Sequence, residues 1–207
     1  MRLLLVRHGQ SEGNAAGILQ GHMDFDLTAL GREQAETVAA RLAGEEIDRV
    51  VSSPLLRAWN TAAIIAGPHG VDVEAQDGLR EYDLGDASGM SGAQLRERFP
   101  EIRAAYERGE RPTFPGEEGR DAFRARVSRA LEGLIAADQR AVVVAHGGVI
   151  SLICFMVTGV EMRRTGVFES ANCGITEVVR DRAGRLVLRR HNDTCHLDGL
   201  VTRADRG

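Results

Sequence analysis

At 207 residues, with 43% hydrophobic and 27% charged side chains, the chain has the size and composition of one globular domain with a substantial core. All 26 basic side chains are arginine, and the absence of lysine excludes a P-loop lysine, a Schiff-base lysine and a pyridoxal-phosphate anchor. A net charge of −4 with no basic block argues against nucleic acid as a partner, and no apolar run reaches the roughly 18 residues that span a bilayer, so a cytoplasmic protein without membrane contact is expected.

Along the chain, "RLLLV" (2–6) is continuous and apolar, as a strand covered on both faces should be. "LTALGREQAETVAARLAG" follows as a helix, with Thr28 as N-cap, Ala35, Val38, Ala39 and Leu42 on one face, and Gly44 as a stop. "RVVSS" (49–53) is a shorter strand. The stretch "SSPLLRAWNTAAIIAG" reads as a helix capped by Ser53, with Pro54 at its first position and Arg57 in its first turn, ended by Gly67 and Pro68. The segment from about 83 to 119 is rich in glycine and charge around short amphipathic pieces, and is expected to form a lid-like insertion within a single domain spanning 1–207. "EGRDAFRARVSRALEGLIAAD" then resumes a long helix through Phe123, Val127, Leu131, Leu134 and Ile135, and "AVVVA" (141–145) is a second buried strand. Finally "ITEVVRD" and "RLVLRRH" flank "DRAG" as a hairpin-like pair. The alternation predicts an α/β domain around a largely parallel sheet.

Three places share one layout, in which an apolar strand gives way to polar residues and then to a glycine or a helix start: Arg7-His8-Gly9, Ser52-Ser53-Pro54 with Arg57, and His146-Gly147-Gly148. In open parallel sheets the carboxyl ends of strands form the usual ligand crevice, and helix N-termini there present N–H groups to anions. Two arginines and two histidines converging on that crevice suit a phosphomonoester. Arg7 and Arg57 can neutralise the phosphate and His146 can donate to it, which leaves His8 as nucleophile, with Gly9 giving room beside it. The leaving oxygen also needs a proton from a carboxylic acid, and "LREYDLGDASG" offers Glu81, Asp83 and Asp86, among which spacing does not choose.

"RHGQSEGN", "LTALGREQA", "SSPLLRAWNTA", "LREYDLGDASG" and "VVAHGGVI", in this order, resemble the histidine phosphatase superfamily, which includes the cofactor-dependent phosphoglycerate mutases. The resemblance covers nearly the whole chain. It implies a phosphoglycerate mutase-like three-layer α/β/α sandwich with a mostly parallel central sheet, no cofactor and no metal. It also implies His8 as the phosphorylated nucleophile, Glu81 as acid and base, and Arg7, Arg57, His146 and Asn14 around the phosphate, with Gln20 and Gly21 lining the substrate pocket. The chain resembles the small broad-specificity phosphatases more than the mutases, because "GH" (21–22) and "HGGVIS" stand where mutases have "GW" and "HGNSLR". A phosphatase of a small phosphorylated metabolite is therefore expected, with a mutase and a non-catalytic phosphate-binding regulator as alternatives. Homodimer formation is left open. The chain departs from the family pattern at "GDASG" (85–89) and "PGEEG" (115–119), both bearing on substrate preference.

Other motifs favour ordinary structural readings. "DFDLT" (24–28) fits the DxDxT motif of magnesium-dependent phosphatases, but no apolar strand precedes it, so Asp24 and Asp26 are expected in a loop before Thr28. "HNDTCH" (191–196) lacks metal-ligand spacing and reads as a strand end followed by a turn. The three cysteines, Cys154, Cys173 and Cys195, contain no CxxC and suggest neither a disulfide framework nor a zinc site. Arginines 96, 98, 103, 108 and 111, interleaved with glutamates, read as a solvated helical face, and Met156 and Met162 as packing residues.

Overall fold

In the computed structural model, which describes residues 1–101, 105, 113–161 and 167–201, a six-stranded sheet carries helices on both faces. The strands are β1 (Arg2–Arg7), β2 (Arg49–Ser52), β3 (Val73–Ala75), β4 (Arg140–Ala145), β5 (Ile175–Arg180) and β6 (Leu186–Asp193), in spatial order β3-β2-β4-β1-β5-β6. The first four run parallel, β5 pairs antiparallel to β1 and β6 antiparallel to β5, so the sheet is mixed with a parallel majority.

The apolar runs of β1 and β4 are unbroken because each face meets its own helical layer. Leu3 and Leu5, with Val143, pack against Val127, Leu131 and Leu134 of helix α5 (Arg120–Ala137) and Ile150 and Ile153 of α6 (Gly147–Thr158). On the other face, Leu4 and Val6, with Val142 and Val144, pack against Ala35, Val38 and Leu42 of α2 (Ala29–Leu42) and Ala58, Ala62 and Ile65 of α3 (Leu56–Ala66). Burial of this kind removes each leucine or valine from water at a gain of about 1.5–3 kcal/mol.

Thr28 caps α2 by accepting the Gly31 N–H. Helix α3 differs from expectation: it begins at Leu56, not Pro54, and Ser53 does not cap it. Asp24 takes that role from a distance, its Oδ1 accepting the Leu56 N–H at 2.9 Å. A short helix α1 (Glu12–Ala15) and the edge strand β3 carry no apolar pattern in the sequence, and both are additions to the predicted elements. Between β3 and α5, helix α4 (Gly92–Arg98) and a turn at Gly85–Ala87 build a satellite core. In it Ala87, Leu95, Phe99 and Phe114 pack with Leu19, Leu84 and Met90, apart from the two main clusters. Arg103, Arg108, Arg111 and Met162 lie outside the described residues, whereas Arg96, Glu97 and Arg98 are exposed as expected and Met156 packs on the main core. Among the described residues no helix is long and apolar enough to cross a membrane.

Candidate active site

The crevice forms where β1, β4 and β2 end side by side. Register pairs Arg7 with Ala145 and Ser52 with Val144, and one further rung on each side carries the chain past the strands: His8 N–H donates to the Ala145 carbonyl and Ser53 N–H to the Val144 carbonyl, both at 3.0 Å. His8 therefore lies beside His146, with ring centroids 5.1 Å apart, and Ser53 beside His146. All three expected strand ends converge.

His8 is 3% exposed, and its Nδ1 lies 2.7 Å from the Gly9 carbonyl, an acceptor that requires the proton on Nδ1. Nε2 is thereby left as a lone pair. Burial, reinforced by the Arg57 and Arg7 charges, holds the His8 pKa well below the ordinary histidine value, so the ring stays neutral at pH 7. His146 is fully buried and shifted the same way, by burial first and then by Arg57, His8 and Arg7. Its Nε2 is 2.8 Å from Ser53 Oγ, which also accepts the Leu55 N–H at 3.3 Å. With the Ser53 hydroxyl donating to Nε2, Nδ1 is the N–H of the ring, and among the described residues that nitrogen is buried with no hydrogen-bond partner.

Arg57 is 1% exposed, and burial lowers its pKa to about 10. Its Nη1 and Nη2 donate to the carbonyls of Met23 (2.8 Å) and Gly21 (2.9 Å), which tie the 20–24 loop to the pocket, while Nε is buried without a hydrogen-bond partner among the described residues. Arg7 is also buried and donates from Nη1 to the Ser170 carbonyl at 2.5 Å. Two buried guanidinium groups and an orphaned histidine N–H form a setting for an oxyanion. Glu81 reaches the same place from the third side. Its Oε2 accepts the Gly148 N–H in the first turn of α6 at 3.1 Å and its Oε1 accepts the Tyr82 N–H at 2.8 Å. A Cβ on Gly148 would collide with the Glu81 carboxylate, and one on neighbouring Gly147 would lie 3.8 Å from Arg7 Nε.

Of the remaining expected residues, Gly21 contributes through its carbonyl on Arg57. Asn14 sits in the α1 capping box, its Oδ1 accepting the Ser11 N–H (3.1 Å) and an N–H of Asn172 (3.3 Å). Gln20 is tied to Ser11 Oγ at 2.8 Å, one residue removed from the charged group. Gly9 needs a different explanation from the expected one: a Cβ there would strike the Gly31 carbonyl, so its bareness admits helix α2 rather than a ligand.

Several participants carried no sequence signal of their role. Asn172 Nδ2 donates to the His8 carbonyl at 2.8 Å from 164 residues away, and Thr61 Oγ1 accepts the Gly9 N–H at 3.0 Å while donating to the Arg57 carbonyl at 2.7 Å. His22 Nε2 lies 2.8 Å from the Glu81 carbonyl, so "GH" contacts the segment that carries Glu81. Gly148 was named only as part of "HGG".

The competing motifs are absorbed by structure. Asp24 caps α3, and Asp26 accepts from Leu27 N (2.6 Å), Asn60 Nδ2 (2.6 Å) and Arg32 (2.7 Å). In "HNDTCH", Asn192 Oδ1 accepts the Ala171 N–H, and His196 Nε2 lies 3.0 Å from the Cys173 carbonyl. Among the described residues no group of three or more His, Cys, Asp or Glu is placed to hold a metal ion.

A family model described as the histidine phosphatase superfamily (branch 1) matches residues 3–194. The chain belongs to the histidine phosphatase superfamily. Phosphoserine phosphatase 1 of Hydrogenobacter thermophilus is 32% identical, covering 100% of this chain and 99% of its own length. The metal-independent phosphoserine phosphatase of Arabidopsis thaliana is 32% identical over 96% of this chain and 84% of that protein. Among solved structures, the α-ribazole phosphatase from Shigella flexneri superposes with a TM-score of 0.84 at 28% identity, covering 93% of this chain and 96% of that one. Within this superfamily the chain is a phosphoric monoester hydrolase.

Proposed function

We propose that the protein hydrolyses an alkyl phosphomonoester of a small polar metabolite in two steps through a phosphohistidine, without a metal. In the first step His8 Nε2 attacks phosphorus, the bond from phosphorus to the ester oxygen breaks, and Glu81 gives its proton to the departing alcohol. In the second, Glu81 takes a proton from water, whose oxygen attacks phosphorus as the Nε2–phosphorus bond breaks and inorganic phosphate leaves. Arg7, Arg57 and the Nδ1–H of His146 balance the equatorial charge in both steps. Asn14, Gln20 and Gly21 line the approach. The observation that carries this reading is the 2.7 Å contact of His8 Nδ1 with the Gly9 carbonyl: that acceptor places the proton on Nδ1, and burial beside the Arg57 and Arg7 charges keeps the ring neutral, with a lone pair on Nε2.

The substrate class follows from the acid. A carboxylic acid at the leaving oxygen matters most for an alcohol leaving group, and similarity to proteins named phosphoserine and α-ribazole phosphatases supports such an ester. We take 83–119 as the substrate-facing lid of a single domain, of which 102–104 and 106–112 lie outside the described residues. Its Gly89 N–H donates to the Leu19 carbonyl (2.7 Å) and Leu19 N–H to the Met90 carbonyl (2.9 Å), beside the loop that holds Arg57. We place the protein in the cytoplasm, with a small molecule as its partner rather than nucleic acid or membrane.

The test is a panel of alkyl phosphomonoesters assayed with and without chelator. Hydrolysis unaffected by chelation is expected. Loss of activity on chelation, or no hydrolysis of any monoester, would overturn the proposal.

A further inference from the structure

We infer that Arg126, on helix α5 and outside the phosphate pocket, is a positioning residue that aims Glu81 for proton transfer. The inference rests on the reading of Glu81 as acid and base. All five guanidinium donors of Arg126 are committed. Nη1 donates to the carbonyls of Gly78 (3.1 Å) and Arg80 (2.6 Å), Nη2 to the carbonyl of Glu81 (2.6 Å) and to Glu118 Oε1 (2.7 Å), and Nε to Glu118 Oε2 (2.8 Å). Three of these acceptors are main-chain oxygens within four residues of one another, and the last belongs to the proposed acid.

Glu118 completes the brace. The oxygen that receives Nη2 also accepts the Asp83 N–H at 2.9 Å, so the pair grips the chain on both sides of Glu81. Residues 80–84 lie in neither helix nor strand, and no ladder fixes their carbonyls. Phe123, one turn before Arg126, sets its ring 4.7 Å from the guanidinium carbon and meets Tyr82 edge-on at 5.2 Å, so the loop rests on α5 through apolar contact as well. A lysine cannot reproduce this, because a single ammonium cannot span three carbonyls and a carboxylate at once. What the brace delivers is the direction of the Glu81 side chain, which otherwise is held by the Gly148 and Tyr82 N–H groups alone among its hydrogen bonds described above.

The experiment compares full-length Arg126→Ala, Arg126→Lys, Glu118→Gln and Glu81→Gln on an alkyl monoester and on p-nitrophenyl phosphate, whose leaving group needs no proton at departure. A misaimed acid should cost on the order of 10²-fold in kcat/KM on the alkyl ester. On p-nitrophenyl phosphate both Arg126 variants should stay within about threefold of wild type in kcat/KM, which ends at phosphoenzyme formation and excludes the attack of water that Glu81 assists. Arg126→Lys keeps a cation and guards against simple unfolding of Arg126→Ala, and Glu118→Gln should show the same selectivity to a lesser degree. An equal loss on both esters, or none on either, would overturn the inference. Glu81→Gln separates the two failures: indifference of that variant to the leaving group removes Glu81 as the acid and the inference with it. A leaving-group-dependent Glu81→Gln beside indifferent Arg126 variants removes Arg126 alone.

Discussion

The two halves of the site are built differently. The proposed phosphate half has Arg7, His8 and His146 at the ends of buried parallel strands and Arg57 in the first turn of α3, all almost inaccessible to solvent. The acid half, with Glu81, lies on an irregular loop whose direction depends on contacts from α5, α6 and His22. In the proposed mechanism a pocket that binds the same phosphoryl group in every turnover can be part of the core, whereas the side that meets a variable leaving group is carried on a segment that can change without disturbing the sheet.

This contrast is broken most strongly at His8. His8→Ala should lower turnover by about 10⁴-fold or more on alkyl and nitrophenyl esters alike, because in the proposed mechanism both depend on the same nucleophile. Steady-state assays on the two esters check it. Gly148→Ala acts on the other half: the new methyl displaces the Glu81 carboxylate, and alkyl ester hydrolysis should fall about 10²-fold. Alanine is the better helix former, so thermal unfolding should show no loss of stability from helix propensity. A parallel fall in activity and melting temperature would contradict that account. Phe114→Ala, in the satellite core, should raise KM about tenfold while leaving kcat near wild type, as measured on the alkyl ester, if that core orders the substrate-facing side.

The smallest expected effect is a pH dependence of stability that belongs to the phosphate half. His8 and His146 have folded pKa values held well below 6.5, chiefly by burial. The unfolded chain therefore takes up protons that the folded one refuses as pH falls below about 6.5. Their contribution is fully present above that pH and is lost below it, down to the folded pKa values, at about 1.4 kcal/mol per pH unit for each histidine. Denaturant unfolding between pH 7 and 5 should show this slope, and His8→Ala should reduce it by one histidine's share.

The same division governs what could be read from the chain. β1 and β4 were legible because burial on both faces makes a strand uniformly apolar, and the switch to Arg7-His8 or His146-Gly147 marks where it leaves the core. Arg57 was legible as a cation misplaced at a helix N-terminus. Glu81 was not separable from Asp83 and Asp86 by spacing; only the ordered blocks of the family resemblance favoured it. What positions Glu81 is a set of contacts from residues distant in sequence, such as Arg126 and Gly148, that leave no local pattern. Asn172, 164 residues from the His8 carbonyl it binds, is silent for the same reason. Ser53 was misread as a helix cap because "SSP" suits that role locally, whereas the tertiary structure uses it against His146 and lets Asp24 cap the helix.

The central claim is that His8 Nε2 carries the phosphoryl group. Rapid alkaline quenching of the enzyme with a radiolabelled monoester, followed by peptide mapping, tests it most directly. The geometry predicts an acid-labile phosphohistidine on His8, bonded through Nε2 because Nδ1 is held by the Gly9 carbonyl, and no label in His8→Ala. Label on Nδ1, on Asp24 or Asp26, or undiminished in His8→Ala would contradict it.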